Sequence, residues 1–202
     1  EMSASLVGSE MCIRDSSHIV EVLDYTKFHV VGRTRDDAAG ECFDKCARAM
    51  GFPYPGGVHI DKASVSGNKD AYELPRPKVT GSEFDFSFSG LKTAVINLLH
   101  NSQQKGIEIN KNDLSAGIQY TISDILCEKT MAAAEMLGYK TIAVAGGVSA
   151  NSGVRAAFEK ACAERDMKLY LPPLNLCGDN GAMIACQGYY NCLLYTSPSP
   201  RD

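Results

Sequence analysis

The stretch Thr141-Ile142-Ala143-Val144-Ala145-Gly146-Gly147-Val148-Ser149-Ala150-Asn151 decides the fold class. Its first half is a short run of apolar and β-branched residues ended by two glycines, which reads as a buried strand over 140–145. Ser149 and Asn151 then stand at the mouth of a helix expected over 151–165. A further strand over 168–171, a Pro172-Pro173 turn and a helix over 179–191 complete a βαβ-type unit, which implies a parallel strand pair. The class is therefore α/β. Open α/β sheets bind ligands where strand ends feed helix N-termini. Free N–H groups there receive anions, and glycine lets the backbone approach closely. Cys177-Gly178-Asp179-Asn180-Gly181-Ala182-Met183 places a carboxylate at a second such helix start. The chain is expected to hold one wall of a nucleotide or phosphate cleft.

Upstream, His18–Leu23 and Phe28–Val31 alternate as two short strands around an Asp24–Lys27 turn. Asp36-Asp37 is expected to open a helix running to Met50, with Ala39, Cys42, Phe43, Cys46 and Met50 on one face and Gly51 as its stop. A turn at Pro53–Gly57 precedes a short helix over His59–Ser66. Phe84-Asp85-Phe86-Ser87-Phe88-Ser89 alternates, so a strand is expected with the phenylalanines facing a core and Asp85, Ser87 and Ser89 facing the other way. Ser89 is expected to cap a helix over Gly90–Ser102. A long helix over Asn112–Leu137 carries Leu114, Ile118, Ile122, Ile125 and Met136 as its apolar stripe, and Gly138 stops it.

The bulk numbers exclude several classes. With 202 residues, 45% hydrophobic and 22% charged, the chain is an ordinary globular one of one domain or slightly more. A formal charge of −4 gives no basic excess, so any nucleic acid must meet a local patch. The eight cysteines contain no C-x-x-C pair and read as buried thiols of a reducing cytosol, which makes the expected location cytoplasmic. No apolar run approaches the roughly 20 residues of a membrane span. Residues 1–17 and 192–202 lack a core-matched pattern. They resemble translated adapter sequence and are expected to be non-native tails around a native part at 18–191.

Each motif taken singly has a plain reading. Gly146-Gly147 serves equally as a tight turn, with Asn151 as a helix cap. Asp179 suits a cap as well as a metal or phosphate site. Asp44 suits a surface partner for Arg48 four residues on. Pro55-Gly56-Gly57 suits a turn, and Asp61 an ordinary first-turn acid. The four histidines share no metal spacing, and there is no Walker loop and no Ser/His/Asp arrangement.

The order of the motifs carries more than any one of them. Asp36–Glu41, Phe43-Asp44-Lys45, Tyr54-Pro55-Gly56-Gly57, Asp85–Thr93, Gly146–Asn151 and Asp179–Ala185 occur in a series. Over 18–191 this series resembles the TsaD family (also called Gcp or YgjD), the tRNA N6-adenosine threonylcarbamoyltransferases. The resemblance implies a domain of the actin/Hsp70/sugar-kinase (ribonuclease H-like) ATPase superfamily, truncated at its N-terminus and carrying a helical insert. It implies that Asp44, Gly57, Asp61 and Asn151, with the Gly146-Gly147 turn, hold threonylcarbamoyl-AMP or a nucleotide. It implies that Asp179 ligates iron, one Fe2+ per full-length subunit, beside an upstream H-x-x-x-H pair that this chain lacks. The family's first phosphate loop and its Ser-Gly-Gly substrate loop are also missing. The implied partners are tRNA and TsaB-like and TsaE-like proteins. Lys92 and Arg33 are the cations singled out for tRNA. Two other classes fit the same superfamily: a non-catalytic TsaB-like module, and a sugar kinase or chaperone-type ATPase. Retention of Asp179 and Asn151 argues against the first, and ATP turnover with sugars tests the second.

Overall fold

A computed structural model describes residues 16–77 and 79–195. Residues 1–15 and 196–202, most of the two expected tails, lie outside the described residues. The order is β1 (His18–Asp24), β2 (Lys27–Arg33), α1 (Ala39–Ala49), α2 (Gly56–Ser64), α3 (Ser89–Gln104), α4 (Lys111–Leu137), β3 (Thr141–Ala143), α5 (Ser152–Glu164), β4 (Lys168–Tyr170) and α6 (Gly181–Tyr195). The α/β class holds. Among the described residues no helix is long and apolar enough to cross a membrane.

The strands form two separate pairs. β1 and β2 are an antiparallel hairpin in which Val20 faces Val30 and Val22 faces Phe28, a row of apolar side chains left exposed. β3 and β4 run parallel, as the βαβ reading requires, with Ile142 opposite Leu169. The ladder continues one bond further, from Val144 N–H to Tyr170 O at 3.0 Å.

Two cores flank the long helix α4. In the first, Cys42, Phe43 and Cys46 of α1 meet Ile60, Phe86, Phe88, Leu91 and the α4 residues Leu114, Ile118, Ile122 and Ile125. In the second, Cys127, Met131 and Ala134 of α4 meet Ile142, Val154, Phe158 and Cys162. The expected α1 face (Ala39, Cys42, Phe43, Cys46, Met50) is buried throughout. The Cys46 thiol, 4.0 Å away, and burial push the Cys42 thiol up, and the Cys42 sulfur also lies 3.6 Å from Phe88 O. The α4 stripe is buried at Leu114, Ile118, Ile122 and Ile125, but Met136 is exposed; Met131, Ala133 and Ala134 take the core positions near that end. Asn110 caps α4, accepting from Asn112 N–H at 2.9 Å, and Gly138 ends it at φ 76°.

One expected strand is absent. In the segment 84–89 only Phe86 bonds like a strand, donating to Arg33 O and accepting from Arg35 N–H, both at 3.0 Å. The reason is Asp85. Instead of facing away, it is buried beside Phe86, where its carboxylate accepts from Arg33 N–H at 2.9 Å and pairs with Arg35. Ser89 does not cap α3 with its own oxygen either. That task falls to Asp36, which stands outside α1 rather than opening it. Its carboxylate accepts from Phe88 N–H (2.8 Å), Ser89 N–H (3.1 Å), Ser87 Oγ (2.6 Å) and Ser89 Oγ (2.8 Å). Partial burial pushes its pKa up, but these bonds outweigh that and hold it below the ordinary value.

Asp36→Ala should therefore destabilise the chain by about 1–2 kcal/mol in urea titrations near neutral pH, the worth of a lost helix cap. A folded-state pKa below the unfolded one stabilises above the unfolded value, and that contribution fades as pH falls through the lowered one. The gap between wild type and variant should thus be full at pH 7 and close in acid below about pH 4.

Candidate functional site

After β3 the chain turns at Gly146, whose backbone sits at φ 89° and ψ 170°. Side chains rarely adopt this conformation, so the requirement for glycine is in the backbone. A Cβ on Gly146 or Gly147 would meet nothing within 4 Å, so the turn opens onto empty space. A 3-10 turn over Gly147–Ala150 follows. Its first hydrogen bond runs from Ser149 N–H to Gly146 O at 2.9 Å. The N–H groups of Gly147 and Val148 precede that bond, which leaves them as donors. The Ser149 hydroxyl is buried and has no hydrogen-bond partner among the described residues.

This turn forms one wall of an open cleft of about 1580 Å³. Asp44, Gly146, Gly147 and Asp179 all border it, as do Lys45, Arg48 and Tyr54. The facing edges of the two sheets, His18–Val22 and Thr141–Ala145, border it as well. The remaining site residues, Gly57, Asp61 and Asn151, do not line the cleft. They form a hydrogen-bonded run behind it. The Asp44 carboxylate accepts from Gly57 N–H at 3.2 Å. Asp61, one turn along α2, accepts from Ser152 N–H at 3.2 Å and from its hydroxyl, at the N-terminus of α5. Asn151 caps α5 through Val154 N–H at 3.0 Å and donates its other amide end to Gln119 Oε1 at 3.0 Å. Both ends of its side chain are engaged inside the protein.

Asp179 stands differently. Asn180, not Asp179, caps α6, accepting from Met183 N–H at 3.1 Å. Asp179 is left exposed at the cleft edge. It offers one hard oxygen ligand, but no group of three or more His, Cys, Asp or Glu able to hold a metal ion occurs among the described residues. The histidines are engaged elsewhere: His29 with Glu21, His100 with Gln104, His59 stacked on Phe52 and His18 with Ser16. Asp179 by itself does not make up an iron site among the described residues.

Electrostatically the α1 wall is nearly self-compensated. Lys45 bonds Asp37 at 2.8 Å and Glu41 at 2.7 Å, and these two carboxylates raise its pKa above the ordinary lysine value. Lys92, singled out for tRNA, also pairs with Asp37 at 3.3 Å.

Sequence reasoning missed two residues that build the site. A Cβ on Gly56 would lie 2.4 Å from the Ala47 Cβ and 3.0 Å from the Asp44 Cα, so the first turn of α2 can seat against α1 only at glycine. The signal was the Gly56-Gly57 doublet. The second is Arg155, whose guanidinium binds the backbone oxygens of Ser149 and Pro172.

A family model described as "TsaD: tRNA N6-adenosine threonylcarbamoyltransferase" matches residues 16–186. The chain belongs to this family. It is 51% identical over 173 residues to the tRNA N6-adenosine threonylcarbamoyltransferase of Bacillus licheniformis, covering 85% of this chain and 50% of that protein. The Bacillus subtilis protein of the same name gives the same identity and coverage. That of Clostridioides difficile is 46% identical over 175 residues, covering 87% and 52%. The chain thus spans about half the length of the curated relatives it matches. Among solved structures, full-length HypF in its phosphate- and nucleotide-bound form superposes with a TM-score of 0.58 at 16% identity, over 80% of this chain and 21% of that one. That likeness concerns the fold alone. The match of the TsaD model ends within α6 and takes in every candidate site residue.

Two outcomes follow for this TsaD chain. Gly56→Ala should cost about 1–3 kcal/mol by denaturant titration, because α2 must move off α1. Gly57→Ala should stay within about 0.5 kcal/mol, since its Cβ would sit 3.6 Å from Phe43 Cβ, an ordinary contact. Anaerobic titration of Fe2+, or of Zn2+, should give weak binding with no stoichiometric plateau, and Asp179→Ala should titrate like wild type.

Proposed function

We propose that this chain is the nucleotide-binding part of an enzyme that transfers a threonylcarbamoyl group from threonylcarbamoyl-AMP to N6 of adenosine 37 in tRNAs reading codons that begin with A. The observation that carries the proposal is the convergence of Asp44, Gly146, Gly147 and Asp179 on one cleft. In this reading the adenylate phosphate rests on the free N–H groups of Gly147 and Val148, where a turn before a helix favours an anion. The adenine amine attacks the carbamoyl carbon, the bond from that carbon to the phosphate oxygen breaks, and AMP leaves with the electron pair. The amine proton passes to solvent, since among the described residues no side chain at the cleft has the surroundings of a dedicated base. Catalysis then rests on positioning the donor and stabilising charge on the carbonyl oxygen.

Gly57, Asp61 and Asn151 contribute in this reading by holding α2 and α5 in place behind the adenylate. The domain over 18–191 is then of the ribonuclease H-like ATPase superfamily, in a cytoplasmic setting with TsaB-like and TsaE-like partners, and the non-native tails are the residues before the family match at 16 and those over 192–202. Asp179 is retained as one ligand of an iron ion whose other ligands lie outside this chain. Transfer, as distinct from binding the adenylate, then needs residues beyond those of this chain, which spans about half the length of its relatives.

The test is transfer itself. The 202-residue chain, given threonylcarbamoyl-AMP and an unmodified tRNA transcript, should form no modified adenosine by mass spectrometry. A protein of the relatives' full length containing residues 16–186 should form it, and Asp179→Ala in that protein should abolish it. Transfer by the short chain, or an active Asp179→Ala protein, would overturn the assignment.

A further inference from the structure

Arg155 lies in α5, one turn past the Asn151 cap, and is partly buried. Its Nε donates to Ser149 O at 2.7 Å, in the glycine turn. Its Nη2 donates to Pro172 O, and the same nitrogen reaches Cys177 Sγ at 3.4 Å. Cys177 is itself buried, with its sulfur 3.5 Å from Pro173 O, and it lies two residues before Asp179. One guanidinium therefore ties the turn that presents Gly146 and Gly147 to the segment that presents Asp179. Among the described residues no carboxylate pairs with it. A partly buried cation held only by carbonyls and a thiol is costly to keep for packing alone. Its planar fork can serve two segments at once, which a lysine ammonium on a flexible stem does less well.

We propose that Arg155 is a positioning residue that keeps the glycine turn and the Asp179 segment in register, so that a nucleotide seated on one orders the other. The coupling rests on the cleft being the nucleotide site. The tie between the two segments does not depend on any ligand. Arg155 also holds the carbonyl of Ser149, whose buried, unpartnered hydroxyl borders the cleft. Nucleotide binding can thus reach Arg155 through that residue.

The test is hydrogen exchange in the whole chain, with AMP as the probe and the α4 amides around Ile118 and Ile122 as the control for global stability. In wild type, saturating AMP should slow exchange both at 146–151 and at 174–180. In Arg155→Lys, AMP should still slow 146–151 but leave 174–180 unchanged, with α4 unaffected. In Arg155→Ala without ligand, both segments should exchange roughly tenfold faster, the worth of a hydrogen bond to a charged group. The proposal is overturned if AMP still slows 174–180 in both variants, or if α4 speeds up as much as the two segments. If AMP slows neither segment in wild type, the nucleotide reading fails, and the ligand-free response of the two segments to Arg155→Ala judges the tie alone. A response in one segment only, or in neither, then refutes it.

Discussion

The burial of α4 on two sides is the constraint that the other contacts depend on. Leu114, Ile118, Ile122 and Ile125 belong to the core shared with α1 and α3, while Cys127, Met131 and Ala134 belong to the core shared with β3 and α5. Leu126 and Val148 pack against both. Helical stability in proteins comes mainly from such packing rather than from propensity. A 27-residue helix packed into both cores acts as a rigid bar between them. α1 packs on one half of that bar and β3 and α5 on the other, and Asp44 of α1 and the glycine turn both border the cleft.

Short polar links then fix the distances that packing leaves loose. Asp44 to Gly57, Asp61 to Ser152 and Asn151 to Gln119 form a chain from α1 through α2 to the start of α5 and back to α4. Asp44 borders the cleft, while Gly57, Asp61 and Asn151 do not. Links of this kind suit a site in which few side chains have chemistry of their own.

Much of this was legible in the sequence because its signals were local. The α1 face repeats at helical spacing, Gly51 and Gly138 stop their helices, and the βαβ unit around Gly146-Gly147 emerged as a parallel pair. The failures came from long-range partners. Phe84–Ser89 alternates like a strand, but Asp85 is drawn inward by Arg33 and Arg35, some fifty residues away in sequence. Ser89 looks like a cap, yet Asp36 reaches across from before α1 to do that work. Met136 continues the α4 stripe on paper and is exposed, because the second core takes Met131, Ala133 and Ala134 instead. At the site, the glycine turn and the placement of Asp179 beyond its helix cap follow from the strand-end logic. Gly56 showed only as part of a turn, since a close backbone approach leaves no periodic trace, and neither does the bridge between loops made by Arg155.

The central claim is that the cleft bordered by Asp44, Gly146, Gly147 and Asp179 seats an adenylate. A crystal structure of the chain grown with AMP tests it most directly. The account predicts the phosphate within hydrogen-bond distance of the Gly147 and Val148 N–H groups, with the nucleoside lying toward Asp44. AMP bound outside this cleft, or within it but with its phosphate away from the glycine turn, would contradict it.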